Sequence, residues 1–305
     1  LLSYVARRLL QAILVLLILS ALTFTLLHMS GNPASLLLPA DATPEQIAHM
    51  SKTLGLDQPI PLQYARFLGR LLHGDMGSSY RMNRPVIDIL LDALPNTIKL
   101  GLCAVAFASL LSLFLGVIAA VRRDTVIDLA ATFLAALGQS MPTFWIAILL
   151  MLAFSVKLDW LPVSGMGTLQ HFILPTLSLG WYSNALLTRV IRSSMLEVLN
   201  QDYIRTARSK GLREWRVILK HGLRNASLPV VTIWGMQLGT VLMGSVATET
   251  VFGWPGIGRL SVDAVLGRDY PLVMGVVLTF GVLLILLNLL VDLSYAFLDP
   301  RIAYS

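Results

Sequence analysis

Charge is scarce in this chain: Asp, Glu, Lys and Arg together make up 13% of its 305 residues, about half the share usual in a soluble domain. With 56% hydrophobic residues and a mean hydropathy of +0.73, an ordinary water-soluble fold is excluded and an integral membrane protein is indicated. Cysteine is nearly absent. The single Cys103 lies in an apolar run, so no disulfide can form within the chain and an inert, membrane-buried thiol is expected. Enzymatic signatures are missing too. No G-x-x-x-x-G-K-[ST] loop is present, so ATP hydrolysis is not encoded. The glycines of GWPGIG are wrongly spaced for a dinucleotide fingerprint, and no G-x-S-x-G nucleophile turn occurs. His28, His49, His73, His171 and His221 are too dispersed for a local metal motif. Catalytic residues, metal ligands and bound cofactors are accordingly expected to be none.

What is there is a series of long apolar runs. Hydropathy places spans at 9–27, 97–121, 126–156, 172–191, 226–247 and 272–298, each long enough to cross a bilayer. The fold class is therefore all-α, with about six transmembrane helices. Its parts are a first span in 1–30, a small, mainly helical extracytoplasmic cap over 31–96, and a core of five spans over 97–305. Pro142 lies inside the third run and should kink it, because proline removes a backbone donor. The net charge of +6 does not point to nucleic acid, because the basic residues cluster in short loops beside apolar runs. Of the 23 Lys and Arg, 14 fall on one side of a six-span arrangement, 3 in short loops on the other and 6 in the long loop up to Lys99. The positive-inside rule then puts both termini in the cytoplasm.

The densest charge lies between the fourth and fifth runs, at 197–225. From Asp202 to Lys210, Ile204 and Ala207 share a face beside Arg205 and Arg208, which suits a short amphipathic helix. Gly211 should end it, since glycine takes the left-handed conformation without steric cost. A second helical pattern follows at once through Leu212, Trp215, Ile218 and Leu219. Two short helices about a glycine corner make a protruding elbow. Read without further context, it is equally a positively charged loop that only fixes topology.

This stretch resembles the loop that inner-membrane permeases of ATP-binding cassette (ABC) importers present to their ATPase subunits. Ala207, Gly211 and Leu223 fit the general pattern of Glu-Ala-Ala, three residues, Gly, and a later Ile-x-Leu-Pro; Arg205, Thr206, His221 and Arg224 depart from it. The string Asp-Tyr-Ile-Arg-Thr-Ala-Arg-x-Lys-Gly, followed by His-x-Leu-Arg-Asn-Ala, is similar to the dipeptide, oligopeptide, glutathione and nickel branch. So are LGLDQPIPLQY and HGDMGSSYRMNRPV in the cap, ETVFGWPGIGRLSVDAVLGRDY at 249–270 and the tail NLLVDLSYAFLDPRI. The resemblance implies a non-catalytic permease of the bacterial cytoplasmic (inner) membrane. Its implied partners are a second homologous permease, two cytoplasmic ABC ATPases that hold ATP and Mg, and an extracytoplasmic solute-binding protein. It also implies ATPase-coupling roles for Arg205, Thr206, Ala207, Gly211, Leu212 and Trp215.

Two further groups stand out. Gln139, Asn184, Gln237 and Asn288 fall near the middle of apolar runs, where polar groups need protein or water partners. They are candidates for a transport path, or for interhelical hydrogen bonds worth roughly 1 kcal/mol each. In the outer loop, Phe252, Trp254, Pro255 and Gly256 are read as an interfacial aromatic anchor or, by the resemblance, as facing the docked binding protein. A stand-alone secondary transporter or channel is the alternative function. Against it, no span carries a membrane-centred carboxylate or histidine pair, and no inverted repeat is evident. Whether the solute is a dipeptide, a longer peptide, glutathione or a chelated metal is not legible in the residues.

Overall fold

The computed structural model describes residues 2–29, 34, 38 and 42–298; the tail after 298 lies outside them. The chain is almost wholly helical. Its main helices are α1 (Leu2–Met29), α2 (Pro44–Thr53), α3 (Ile60–Leu72), α4 (Val86–Val121), α5 (Val126–Ser140) and α6 (Thr143–Leu150). After them come α7 (Gln170–Leu199), α8 (Asp202–Ser209), α9 (Leu228–Val251), α10 (Ile257–Leu266) and α11 (Tyr270–Leu298). Among the described residues the β pairing is one isolated antiparallel bridge, Ser78 to Pro85. Three helical stretches, Leu10–Met29, Val86–Val121 and Tyr270–Val291, are long and apolar enough to cross a membrane, and α5 with α6 supplies a fourth if the pair counts as one broken span.

Two compact units divide the chain. The first combines residues up to Asn96 with Pro255–Leu289. Its α2 begins at a capping box, in which Thr43 and Gln46 each satisfy the other's backbone N–H ahead of Pro44. Helix α4 starts at Val86, well before the apolar run at Thr97. Val86, Ile89, Leu90 and Ala93 recur at helical spacing and bury one stripe against α10 and α11. Aspartates 88 and 92 ride on the other side of this stripe and mask the helix from a hydropathy scan. A second apolar cluster joins Phe24 of α1, Phe67 of α3 and Met274 and Leu278 of α11.

Asp269, 1% exposed, organises this unit. Its carboxylate accepts from Leu272 N (3.3 Å), capping α11, and from the hydroxyl of Ser79 and the amides of Tyr80 (3.1 Å) and Arg81 (3.2 Å). One side chain thus starts a helix and fastens a loop. Burial, with Asp269 nearby, pushes the Tyr80 hydroxyl up to about 12.

The second unit comprises Thr97–Trp254 and Leu290–Leu298. Here the expected kink at Pro142 is a full break: α5 and α6 meet at 105°. The cause is the residue before the proline. Met141 is driven out of the helical region to φ −113°, ψ 137°, and Pro142 then opens a new helix with φ −59°, ψ 141°. Helix α6 continues into a wider π-helical turn, Met151–Lys157. Close packing of α5 on α7 depends on Gly138, where a Cβ would run into the side chain and carbonyl of Trp181. At the start of α5, Asp128 (5% exposed) receives both Nε (2.7 Å) and Nη2 (2.6 Å) of Arg192 from α7. Paired twice, that buried carboxylate fixes the two helices together.

Candidate functional site

The basic corner is built from a small apolar core with a charged exterior. Ile204 and Ala207 of α8 bury against Val217, with Leu199 and Leu212 packed around them. Helix α8 ends at Ser209 with Lys210 as its C-cap, and Gly211 follows at φ +73°, a left-handed conformation that side chains with a Cβ rarely adopt. The chain then re-enters helix at Glu214–Arg216, widens to a π-helical segment over Val217–Leu223 and closes with Arg224–Ala226. Across the corner, Arg208 donates from Nη2 (2.7 Å) and Nε (3.2 Å) to the two oxygens of Glu214. This pairing raises the Arg208 pKa further above its ordinary value. Behind it, Asn225 donates to the Tyr203 hydroxyl at 2.8 Å.

The sequence-predicted coupling residues sort into two roles. Ala207 is buried and Leu212 half-buried in the apolar core. Arg205, Thr206, Gly211 and Trp215 are exposed, with the Arg216 guanidinium 5.2 Å from the centre of the Trp215 ring. A Cβ at Gly211 would meet nothing within 4 Å. The glycine is therefore required by backbone conformation and leaves open space on the surface.

Of the four polar mid-span residues, two are buried and two are exposed. Asn184 is fully buried and Gln237 8% exposed. Gln237 donates from Nε2 to the carbonyl of Ser183 (2.9 Å), joining α9 to α7, and Asn184 Oδ1 accepts from Thr188 (2.8 Å). Gln139 is exposed and accepts from Arg189 Nη2 at 2.8 Å, while Asn288 is exposed on α11. Sequence reasoning missed the neighbours that carry unmet polarity. Among the described residues, the hydroxyls of Thr176, Ser183 and Thr248 and the amide nitrogen of Asn184 are buried without a hydrogen-bond partner. Each such group costs about 1–3 kcal/mol. Glu249, also fully buried, accepts from Ser245 at 3.0 Å. Its spacing of four from Ser245 within one helix was the available signal.

The aromatic segment after α9 needs correction. Glu249 belongs to α9, which runs to Val251, so the loop begins at Phe252. Phe252 (2% exposed) and Trp254 (0%) are core residues rather than surface anchors. The Trp254 ring meets Phe172 edge-on at 4.6 Å, in a cluster with Leu100, Leu179 and Val241. Gly256 is also buried, leaving Pro255 as the exposed member of the four. Cys103, expected within the membrane, is exposed on the surface of the chain itself. Among the described residues no group of three His, Cys, Asp or Glu is arranged to hold a metal ion.

An almost entirely helical fold with several apolar spans and a compact charged corner defines a multi-helix integral membrane protein. Residues 112–304 match the family described as binding-protein-dependent transport system inner membrane component, and residues 1–101 match the N-terminal model of such membrane components. The chain belongs to this family. Among its relatives, the glutathione transport system permease protein GsiC of Pectobacterium atrosepticum is 45% identical over 306 residues, covering 100% of both chains. The proteins of the same name from Salmonella typhimurium and Escherichia coli K12 are 44% and 43% identical, also over the full length of both chains. Two solved structures share the fold. One, of an amino acid ABC transporter, is 17% identical, with a TM-score of 0.54 over 69% of this chain and 94% of that chain. The other, of the MetNI methionine ABC transporter facing inward, is 18% identical, with a TM-score of 0.57 over 69% of this chain and 96% of that chain. The chain is thus a membrane permease component of an ATP-driven importer.

Proposed function

We propose that this permease imports glutathione or short peptides, and that α8 and the segment after Gly211 form the surface through which a partner ATPase drives it. The observation that carries the coupling reading is the corner itself. An apolar core of Ile204, Ala207 and Val217 holds its shape, while Arg205, Thr206 and Trp215 stay exposed. The solute class rests on the glutathione permeases, which match over their whole length. In this reading the chain binds neither ATP nor Mg. A second homologous permease completes the path, two ABC ATPases supply the energy, and an extracytoplasmic binding protein delivers the solute.

Six spans, with α7 and α9 as the fourth and fifth, put both termini and the corner in the cytoplasm of a bacterial inner membrane. Residues 31–96, which include the start of α4, then form the extracytoplasmic cap. The unpaired hydroxyls of Thr176, Ser183 and Thr248 support a path along α7 and α9 past Asn184 and Gln237, since water or solute would satisfy them. Gln139 and Asn288, exposed on the isolated chain, join such a path only where the partner permease closes over them. Of Phe252, Trp254, Pro255 and Gly256, Pro255 is the one exposed to meet the binding protein.

Single cysteines at Ser209 and Ser261, in a background lacking Cys103, test the orientation. An impermeant thiol reagent should label the two from opposite sides of the membrane; labelling from one side rejects the six-span arrangement.

A further inference from the structure

The first unit contains a cleft that the transport reading does not use. At the Met29 end of α1 there is a pocket of about 840 Å³ walled by α1, α3, the end of α2 and the start of α11. Its cations are Lys52, Arg66 and Arg70, against the single carboxylate of Asp75, which accepts from Gly77 N at 2.7 Å. Among the described residues none of these three cations takes part in an ion pair. Both nitrogens of His28, which also lines the pocket, are engaged, by the Phe24 carbonyl (2.8 Å) and the Gln63 side chain (2.9 Å). The pocket therefore has unmatched positive charge.

Toward the middle of α1 the helices α1, α3 and α11, with Leu94 of α4, line a groove of about 510 Å³, and Met76 lines both spaces. The groove is apolar. Leu16, Leu17, Leu71, Leu278, Val282 and Leu283 dominate it, and its two hydroxyls are already satisfied. Ser20 donates to the Leu17 carbonyl (2.9 Å) and meets the Tyr64 hydroxyl (2.8 Å), and Thr279 donates to the Gly275 carbonyl (2.7 Å). A peptide laid here would leave its backbone groups without partners at bilayer depth. A hydrocarbon chain would not.

Length decides the occupant. From Ile13 in the groove to His28 in the pocket, α1 rises about 22 Å, which is close to half of the 40–45 Å that a bilayer occupies with its headgroups. Positive charge lies at the end of the apolar helix and the greasy groove toward its centre, as in one leaflet of lipid. We propose that this cleft holds an anionic glycerophospholipid of the surrounding membrane, its phosphate among Lys52, Arg66 and Arg70 and an acyl chain along α11 from Leu278 to Leu286. The proposal stands apart from the coupling corner and survives its failure.

Native mass spectrometry of the assembled transporter, stripped of lipid and titrated with phosphatidylglycerol or phosphatidylcholine, tests it. The wild type should retain phosphatidylglycerol in preference to phosphatidylcholine. That preference should fall about fivefold for each arginine replaced in Arg66→Gln and Arg70→Gln, with co-purification of the partner subunits unchanged. Leu283→Trp, which fills the groove, should weaken retention of both lipids. A preference unchanged in the double arginine variant overturns the proposal. Retention unaffected by Leu283→Trp also overturns it, by indicating that polypeptide covers the groove. Displacement of the lipid by glycerol 3-phosphate at the same concentration would reduce the site to a bare anion pocket and reject the lipid.

Discussion

Arg208 and Glu214 grip one another across Gly211 through two hydrogen bonds of 2.7 and 3.2 Å, the last residue but one of α8 joined to the first helical residue beyond the corner. The pair looks like the clasp of the elbow, yet its side chains are 44% and 55% exposed. An exposed pair contributes at most about 1 kcal/mol. The apolar core beneath contributes more. Ile204 is fully buried, and truncating such a side chain costs about 2–5 kcal/mol.

The corner should therefore respond unequally to two substitutions. Glu214→Gln should leave its protease resistance close to wild type. Ile204→Ala should expose 202–226 to rapid cleavage in membrane vesicles while the rest of the chain stays intact. Equal sensitivity of the two variants would show that the ion pair, not the core, holds the elbow.

Much of this corner was legible in the sequence because its signals are local. Ile204 and Ala207 share a helical face, and a glycine after the last turn announces a left-handed stop. The break at Pro142 was legible in place but not in size: sequence marks the missing donor, whereas the 105° turn follows from where Met141 is pushed. The early start of α4 was hidden because Asp88, Asp92 and Pro95 interrupt the hydropathy of a helix whose apolar stripe is intact. Trp254 was misread because its burial depends on Phe172, far away in the chain. Asp269 could be read locally only as a helix cap for α11, since its other three partners lie about 190 positions earlier.

Asp269 gives the second prediction. Asp269→Ala removes the α11 cap and leaves the amides of Tyr80 and Arg81 without their acceptor, a loss of about 3 kcal/mol or more. Hydrogen exchange at the amides of Tyr80 and Arg81 should accelerate, together with thermal destabilisation of the purified protein. Wild-type protection at those amides would mean that the carboxylate does not fasten the loop.

Gly138 gives the third. Alanine there places a methyl group against the Trp181 carbonyl, and backbone cannot step aside as a flexible side chain can. Helix α5 must retreat from α7, at a cost of about 1–3 kcal/mol, which also strains the Asp128–Arg192 pair. Gly138→Ala should lower the thermal stability of the permease, whereas Gly165→Ala, at a loop glycine with φ +94° where an added Cβ would meet nothing within 4 Å, should lower it by only about 1 kcal/mol. Equal losses from the two would contradict the close packing of α5 on α7.

The coupling role of the corner is tested most directly at Gly211. Its φ of +73° makes any Cβ residue strained by about 1 kcal/mol or more, and Gly211→Asp also places a carboxylate where an ATPase surface must seat, desolvated and unpaired. Because the corner is a separate small core, the spans should insert normally. Membrane abundance, recovery of the ATPase subunits on purification and solute uptake are measured in the same cells. The account predicts normal abundance with ATPase recovery lost, or with ATP hydrolysis retained but uptake abolished; wild-type recovery together with wild-type uptake would contradict it.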